Sequence, residues 1–190
     1  MQVALVIGSV LKERQSHKVA HYLEKVLQQR SVTTDLIDLL KYPLPLYGLS
    51  TERPEELENI KRMSDRLMEA DAMVLITPEY HGTFSGALKN ALDHFWGEFQ
   101  KKPVGVAAAS VGKFGDLNAS TQLQHVILSL GAFPLPLKLL IPQVQIAFDD
   151  LFEASSDDII ESTRRFVNEF LWLPDAVYRK KLEKPIIHRT

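Results

Sequence analysis

Residues 8–18 read GSVLKERQSHK, with hydroxyls at Ser9 and Ser16 and the guanidinium of Arg14 between them. An apolar periodicity of helical type begins just beyond, so Ser16 stands where a helix N-cap belongs. Free backbone N–H groups at a helix start, hydroxyl donors and a nearby arginine together form a ready site for an anion. The same residues also suit an ordinary strand-to-helix loop with a serine cap, and the spacing leaves both readings open. Two nucleotide sites are excluded here: there is no GxGxxG for a dinucleotide and no GxxxxGK[ST] for a P-loop.

A second stretch, TPEYHGTFSGALKNALDHFW at residues 77–96, sets Pro78, Tyr80 and Gly82 in a stiff turn suited to lying along a planar ring. A third, ASVGKFGDLNA, carries Ser110, Gly112 and Gly115 with Phe114 between the glycines. Two glycine-bearing loops at neighbouring strand ends make the walls of a flat slot whose donors are mainly backbone N–H groups. An isoalloxazine ring fits such a slot, and so do other planar ligands.

Single residues carry weaker signals. His17 and His21 are spaced i, i+4 on a helix but lack a nearby third ligand, so no metal is expected. An imidazole at His81 titrates in the range of a proton donor, although a structural place in the loop is the simpler reading. The Glu79 carboxylate is read as a brace for its turn, Lys89 and Asp93 as an exposed i, i+4 ion pair. Phe95 and Trp96 suit core or interface. Tyr42 and Tyr47 bound a Pro-rich loop that either walls an acceptor site or packs on its own domain.

Five short apolar or β-branched runs must position these loops: residues 2–7, 32–38, 71–77, 103–110 and a last one within 137–146. Helical stripes lie between them, at Val19, Leu23, Val26 and Leu27; at Leu57, Ile60, Met63, Leu67 and Met68; at Phe84 through Phe95; at Leu123, Val126, Ile127 and Leu130; and at Ile159, Thr163, Phe166, Val167 and Phe170. Alternating strands and helices imply an α/β three-layer sandwich, a parallel sheet with helices on both faces. The commonest five-stranded order is the flavodoxin-like 2-1-3-4-5, with a ligand beyond the carboxyl ends of strands one and three.

The chain has 190 residues, a net charge of −2 and no cysteine. That length suits one domain, expected over residues 1–184, with a helical extension from about 172 interrupted at Pro174 and a mobile tail over 185–190. Absence of cysteine excludes thiolate chemistry and Cys-ligated metal. The near-neutral charge argues against nucleic acid as the partner, and the short apolar N-terminus against a membrane span or secretory signal. A cytoplasmic protein is expected.

Three segments resemble the NADPH-dependent FMN reductase family, a branch of the flavodoxin-like quinone and azo-dye reductases. They are Gly8 and Ser9 with Arg14 and Ser16 downstream, DLLKYPLPLY after the second strand, and PEYHGTFSGALKNALD after the third. The resemblance spans residues 1–131. It implies that Ser9, Arg14, Ser16 and His17 hold the FMN phosphate. It also implies that Pro78, Glu79, Tyr80, His81 and Gly82 run along the flavin, closed by Ser110, Gly112, Phe114 and Gly115. NADPH or NADH would donate electrons, and a free flavin, quinone or azo compound would accept them in ping-pong fashion, with no side chain strictly catalytic. The alternative is an electron carrier or flavin-based redox sensor. The family's members are commonly homodimers or homotetramers. Leu11 stands where the family often has an arginine, PEYH replaces its PEYN, and GKFGD replaces a glycine-richer loop.

Overall fold

The computed structural model describes residues 1–112 and 117–182. Val3 to Ile7 are all buried and form β1 (Gln2–Ile7), whose side chains alternate between the two faces of a sheet. Val3, Leu5 and Ile7 face α1 (Ser16–Gln28) and α6 (Asp157–Leu182), while Ala4 and Val6 face α2 (Pro54–Glu69), α3 (Gly86–His94) and α4 (Leu117–Ser129). Both faces are therefore covered, which explains why β1, β3 (Ala72–Tyr80) and β5 (Pro103–Ala109) read as continuous apolar runs.

The parallel order is β2-β1-β3-β5 with β2 (Thr33–Asp38) at one edge; the other edge is shared by β6 (Phe133–Pro134) and β7 (Leu139–Ile141). Leaving aside the short β4 (Thr83–Phe84), this is the expected order. The sheet nevertheless has seven strands rather than five. β7 lies within the expected fifth run, and β6 precedes it as a separate strand: Pro134 and Pro136 supply no N–H to a ladder, so β6 pairs low on β5 and β7 pairs at its upper end. The register aligns the strand exits: Ile7 lies opposite Asp38 and Ile76, and Pro78 opposite Ala109. The loops after β1, β2, β3 and β5 consequently share one rim.

Other differences have local causes. β3 continues through Tyr80, beyond its expected end, because it turns back and pairs with β4. Leu57 and Met68 belong to the α2 stripe by spacing but are exposed, and Met63 and Leu67 carry the contact. Pro174 does not interrupt the last helix: it lies inside α6. The expected tail over 185–190 lies outside the described residues. On β5, a Cβ at Gly105 would sit 2.8 Å from Phe166 Cζ, so the missing side chain makes room for the stacked Phe166 and Phe170 rings of α6. Among the described residues, no helix is long and apolar enough to cross a membrane.

Candidate functional site

The rim begins at Gly8. Its N–H donates to the Ile76 carbonyl at 2.7 Å, and a Cβ there would stand 2.9 Å from Leu88 Cβ. The exit of β1 thus lies directly against α3. Ser85 locks this contact: its hydroxyl donates to the Gly8 carbonyl at 2.5 Å and accepts the Leu88 N–H at 3.1 Å as the N-cap of α3. Ser9 is 1% exposed and shares a 3.2 Å hydrogen bond with the Tyr80 hydroxyl. The first and third loops are thereby joined.

Ser16 is not the N-cap. Gln15 occupies that position with helical backbone angles and no side-chain capping bond, so the helix takes in Ser16 as its first residue. The Ser16 hydroxyl is buried without a partner. Arg14 donates to Asp38 Oδ2 at 2.5 Å and to the Leu11 carbonyl at 3.3 Å, while its Nε is also buried and unpartnered. Leaving a buried donor unsatisfied costs about 1–3 kcal/mol, so two in one loop point to an acceptor supplied from outside the chain.

The neighbouring helix starts are closed to anions. α2 carries Glu55 and Glu56 in its first turn, α3 is capped by Ser85, and Glu79 Oε2 accepts the Ala119 N–H at the start of α4 at 3.0 Å. α1 has neither a side-chain cap nor an acid in its first turn. The positive end of its dipole, with two buried donors beside it, is an open place for negative charge among the described residues of the rim.

His17 follows at once. Its Nδ1–H donates to the Arg14 carbonyl at 2.7 Å. Burial pushes its pKa below the ordinary 6.5, and the charges of Arg14, His21 and Lys18 add to the lowering, against the opposing bond to Arg14. With Nδ1 protonated, neutral His17 has a bare Nε2, which becomes a donor only in the imidazolium. His21 meets His17 edge to face, at 6.4 Å between centroids, and pairs with Glu24 at 3.4 Å.

The PEYHG stretch is a hairpin. Glu79 pairs with Phe84 and Tyr80 with Thr83, leaving a two-residue turn of His81 at φ 52° and Gly82 at φ 79°. Two positive φ angles define a type I′ turn, for which Asn-Gly is the favoured pair and histidine a tolerated substitute. That is the physical sense of an amide at this position in the resembling family. His81 itself is exposed. Gln122 fastens the hairpin to α4, donating to the Gly82 carbonyl at 2.8 Å and accepting from the Thr83 hydroxyl at 2.7 Å. Glu79 acts as a brace as well, through its cap on α4.

Ser110 and Gly112 form the neighbouring wall. The Ser110 hydroxyl donates to the Gly112 carbonyl at 3.0 Å, and the two backbones are held by Gln143 and Val144 N–H groups at 3.1 and 2.8 Å. Phe114 and Gly115 lie outside the described residues. Asp38, Ser85 and Gln143 were not singled out by sequence; only the position of Asp38 at a strand's carboxyl end offered a signal.

Beside the anion loop lies a cleft of about 420 Å³ whose lining includes Val10, Leu39, Tyr42, Leu44, Ala87 and Asn90. Asn90 holds its outer wall, accepting from Tyr47 N–H at 2.8 Å and donating to the Pro45 carbonyl at 2.9 Å. Tyr42 lines the cleft, with the Arg66 guanidinium 5.2 Å from its ring, whereas Tyr47 turns outward against His94. Phe95 is core and Trp96 is 65% exposed; Lys89 and Asp93 pair at 2.5 Å.

Comparison with known proteins bears on fold and family. The chain is 32% identical over 165 residues to the FMN-dependent NADPH-azoreductase of Staphylococcus aureus, covering 83% of this chain and 82% of that protein. Among solved structures it resembles the flavoenzyme NAD(P)H:(acceptor) oxidoreductase FerB from Paracoccus denitrificans, at 26% identity and TM-score 0.78, over 92% of this chain and 97% of that one. A flavodoxin from Streptococcus pneumoniae TIGR4 shares the fold at 14% identity and TM-score 0.60, over 90% and 99% of the two chains. The model of the NADPH-dependent FMN reductase family matches residues 1–145, and the chain belongs to that family.

Proposed function

We propose that the protein is an FMN-dependent oxidoreductase that takes electrons from NADPH or NADH and reduces a small, flat acceptor. One observation carries this reading: the buried, unpartnered Arg14 Nε and Ser16 Oγ at the uncapped start of α1. An FMN phosphate would supply the acceptor oxygens those donors lack, so the residues present fit the cofactor. Ser9 and His17 would complete the phosphate end, and Pro78, Glu79, Tyr80, His81 and Gly82 with Ser110 and Gly112 would hold the ring. Bound there, FMN supplies hydride acceptance and stepwise or paired electron release.

The chain's own residues orient and shield. Ser85 and Gly8 hold the loop after β1 against α3, and Glu79 and Gln122 fix the hairpin to α4. Among the described residues of the rim no titratable pair is arranged for acid–base catalysis, in keeping with a reaction that needs alignment more than proton transfer. The apolar cleft beside Val10 and Tyr42 favours a weakly polar acceptor such as a quinone, an azo compound or a free flavin. Donor and acceptor would use the same site in turn, in ping-pong fashion. Exposed Trp96 and Leu128, on the α3 and α4 side, support a homodimer or homotetramer through that face. The described residues act as one unit, and a cysteine-free chain using a nicotinamide donor suits the cytoplasm.

The test is anaerobic: the protein is loaded with FMN, NADPH is added and visible absorbance is followed. Rapid, complete bleaching is expected. Bound flavin that stays oxidised would instead identify a carrier or redox sensor, and failure to bind FMN would overturn the reading.

A further inference from the structure

We propose that Phe152 is a positioning residue that holds His17 at the anion end of the site, which rests on the FMN reading above. Residues 148–155 follow α5 (Val144–Ala147) and form a closed strap. Phe148 and Ala154 form an antiparallel bridge, and Asp149 N–H donates to the Glu153 carbonyl at 3.0 Å. Asp149 Oδ1 gathers the N–H groups of Leu151 and Glu153 at 2.9 and 2.8 Å. These bonds leave Phe152 at the crest of the strap.

The strap lies along α1. Lys18 donates to the Phe148 carbonyl at 3.3 Å, and Lys25 donates to the Leu151 carbonyl and to Glu153, both at 2.6 Å. Between these two clamps Phe152 stacks on His21, at 4.5 Å and 22°, and meets His17 edge to face, at 6.0 Å and 85°. Phe152 has φ 61°, in the left-handed region where glycine is at ease and a bulky side chain is strained. A glycine there would meet the backbone's need alone. The ring is therefore accounted for by what it touches.

His17 is thus fixed on two sides. Its Nδ1–H is bound to the Arg14 carbonyl, its ring edge rests against Phe152, and Nε2 is the ring atom left to meet a ligand. The groups acting on its charge are Arg14, Lys18 and His21, each in turn paired with an acid: Asp38 at 2.5 Å, Asp150 of the strap at 3.8 Å and Glu24 at 3.4 Å, with Glu153 of the strap held by Lys25. The three groups lower the His17 pKa, and a phosphate meeting Nε2 is the partner that favours its imidazolium. The strap lies beyond residue 145, where the family match ends. This part of the chain therefore reaches back to tune recognition of the phosphate.

The test compares FMN with riboflavin, which lacks the phosphate, in fluorescence titrations of the flavin-free full-length protein. Phe152→Gly relaxes the backbone while removing the ring. It should weaken FMN binding about tenfold, the size of one charge-assisted hydrogen bond, and leave riboflavin binding unchanged. Phe152→Tyr should restore FMN affinity, and His17→Ala added to Phe152→Gly should cost nothing more. Equal weakening of both flavins, or of neither, overturns the proposal. A second readout needs no flavin: the His17 imidazole resonances should move in Phe152→Gly as the ring samples several rotamers, and unmoved resonances also overturn it. A wild-type protein that binds riboflavin as tightly as FMN refutes the FMN reading, and the resonances then decide the Phe152–His17 coupling by themselves.

Discussion

Gly8→Ala probes the joint on which the anion loop rests. The new Cβ would stand 2.9 Å from Leu88 Cβ, 3.0 Å from the Ile76 carbonyl oxygen and 3.1 Å from Leu88 Cδ2. Carbon atoms prefer separations of roughly 3.5–4.0 Å, so α3 or the exit of β1 must shift by several tenths of an ångström. Neither yields readily: Leu88 is fully buried, and the Ile76 carbonyl already accepts the Gly8 N–H. Overpacking of this kind costs about 1–3 kcal/mol, offset by roughly 0.4–1 kcal/mol because alanine has less chain entropy to lose. A net loss of about 1–2 kcal/mol should lower Tm by roughly 2–8 °C in a domain of this size. Urea unfolding should show a lower midpoint at an unchanged m-value. Leu88→Ala alone should cost about 2–5 kcal/mol, yet it keeps the Cβ that stands 2.9 Å from the new methyl and leaves the Ile76 carbonyl in place, so the double variant loses only the 3.1 Å contact with Cδ2. The pair should therefore stay close to additive. A double variant markedly more stable than the sum predicts, or a Gly8→Ala protein as stable as wild type, would refute the packing argument. Because Gly8 leads into Ser9 and accepts the Ser85 hydroxyl, FMN affinity should fall in parallel.

Two further outcomes follow from the turn and the histidine. His81→Asn places a residue at ease with positive φ in the type I′ turn and should raise stability by a few tenths of a kcal/mol to about 1 kcal/mol, whereas His81→Val should lower it; thermal unfolding reads both. If His81 is structural, the Asn variant keeps the rate of anaerobic bleaching by NADPH. Folding depresses the pKa of His17, so between that lowered value and 6.5 the unfolded chain binds more protons than the native one. Stability of the flavin-free protein should accordingly rise with pH across that window, and His17→Asn should flatten the slope; an unchanged slope would dismiss the assignment.

Much of the architecture is legible because burial on both faces leaves an unmistakable trace. β1 and β5 carry no charge along their length, and their bounds agree closely with the apolar runs. Lys89 and Asp93 are legible for a similarly local reason, the i, i+4 spacing on a helix. Errors arose where a local rule met a competing one. Ser16 is a good cap by type, yet Gln15 takes that position and the hydroxyl is free for another use. Pro78 suggested a loop, although it lies within β3 and opposite Ala109. Contacts between distant segments left no trace at all. Arg14 was visible as a cation near an anion site, but its pairing with Asp38 depends on the β1–β2 register. Phe152 reaches His17 only because α6 and the strap before it return to the α1 face of the sheet.

The closed helix starts around the rim have a consequence for how a ligand is oriented. A molecule charged at one end and flat at the other would meet, among the described residues, one receptive pole at the start of α1. Turned end for end, it would bring its charge toward Glu79 of β3 at the start of α4 or toward Glu55 and Glu56 on α2, against acids instead of open donors. A slot of this kind would be keyed, favouring an occupant that enters in one sense.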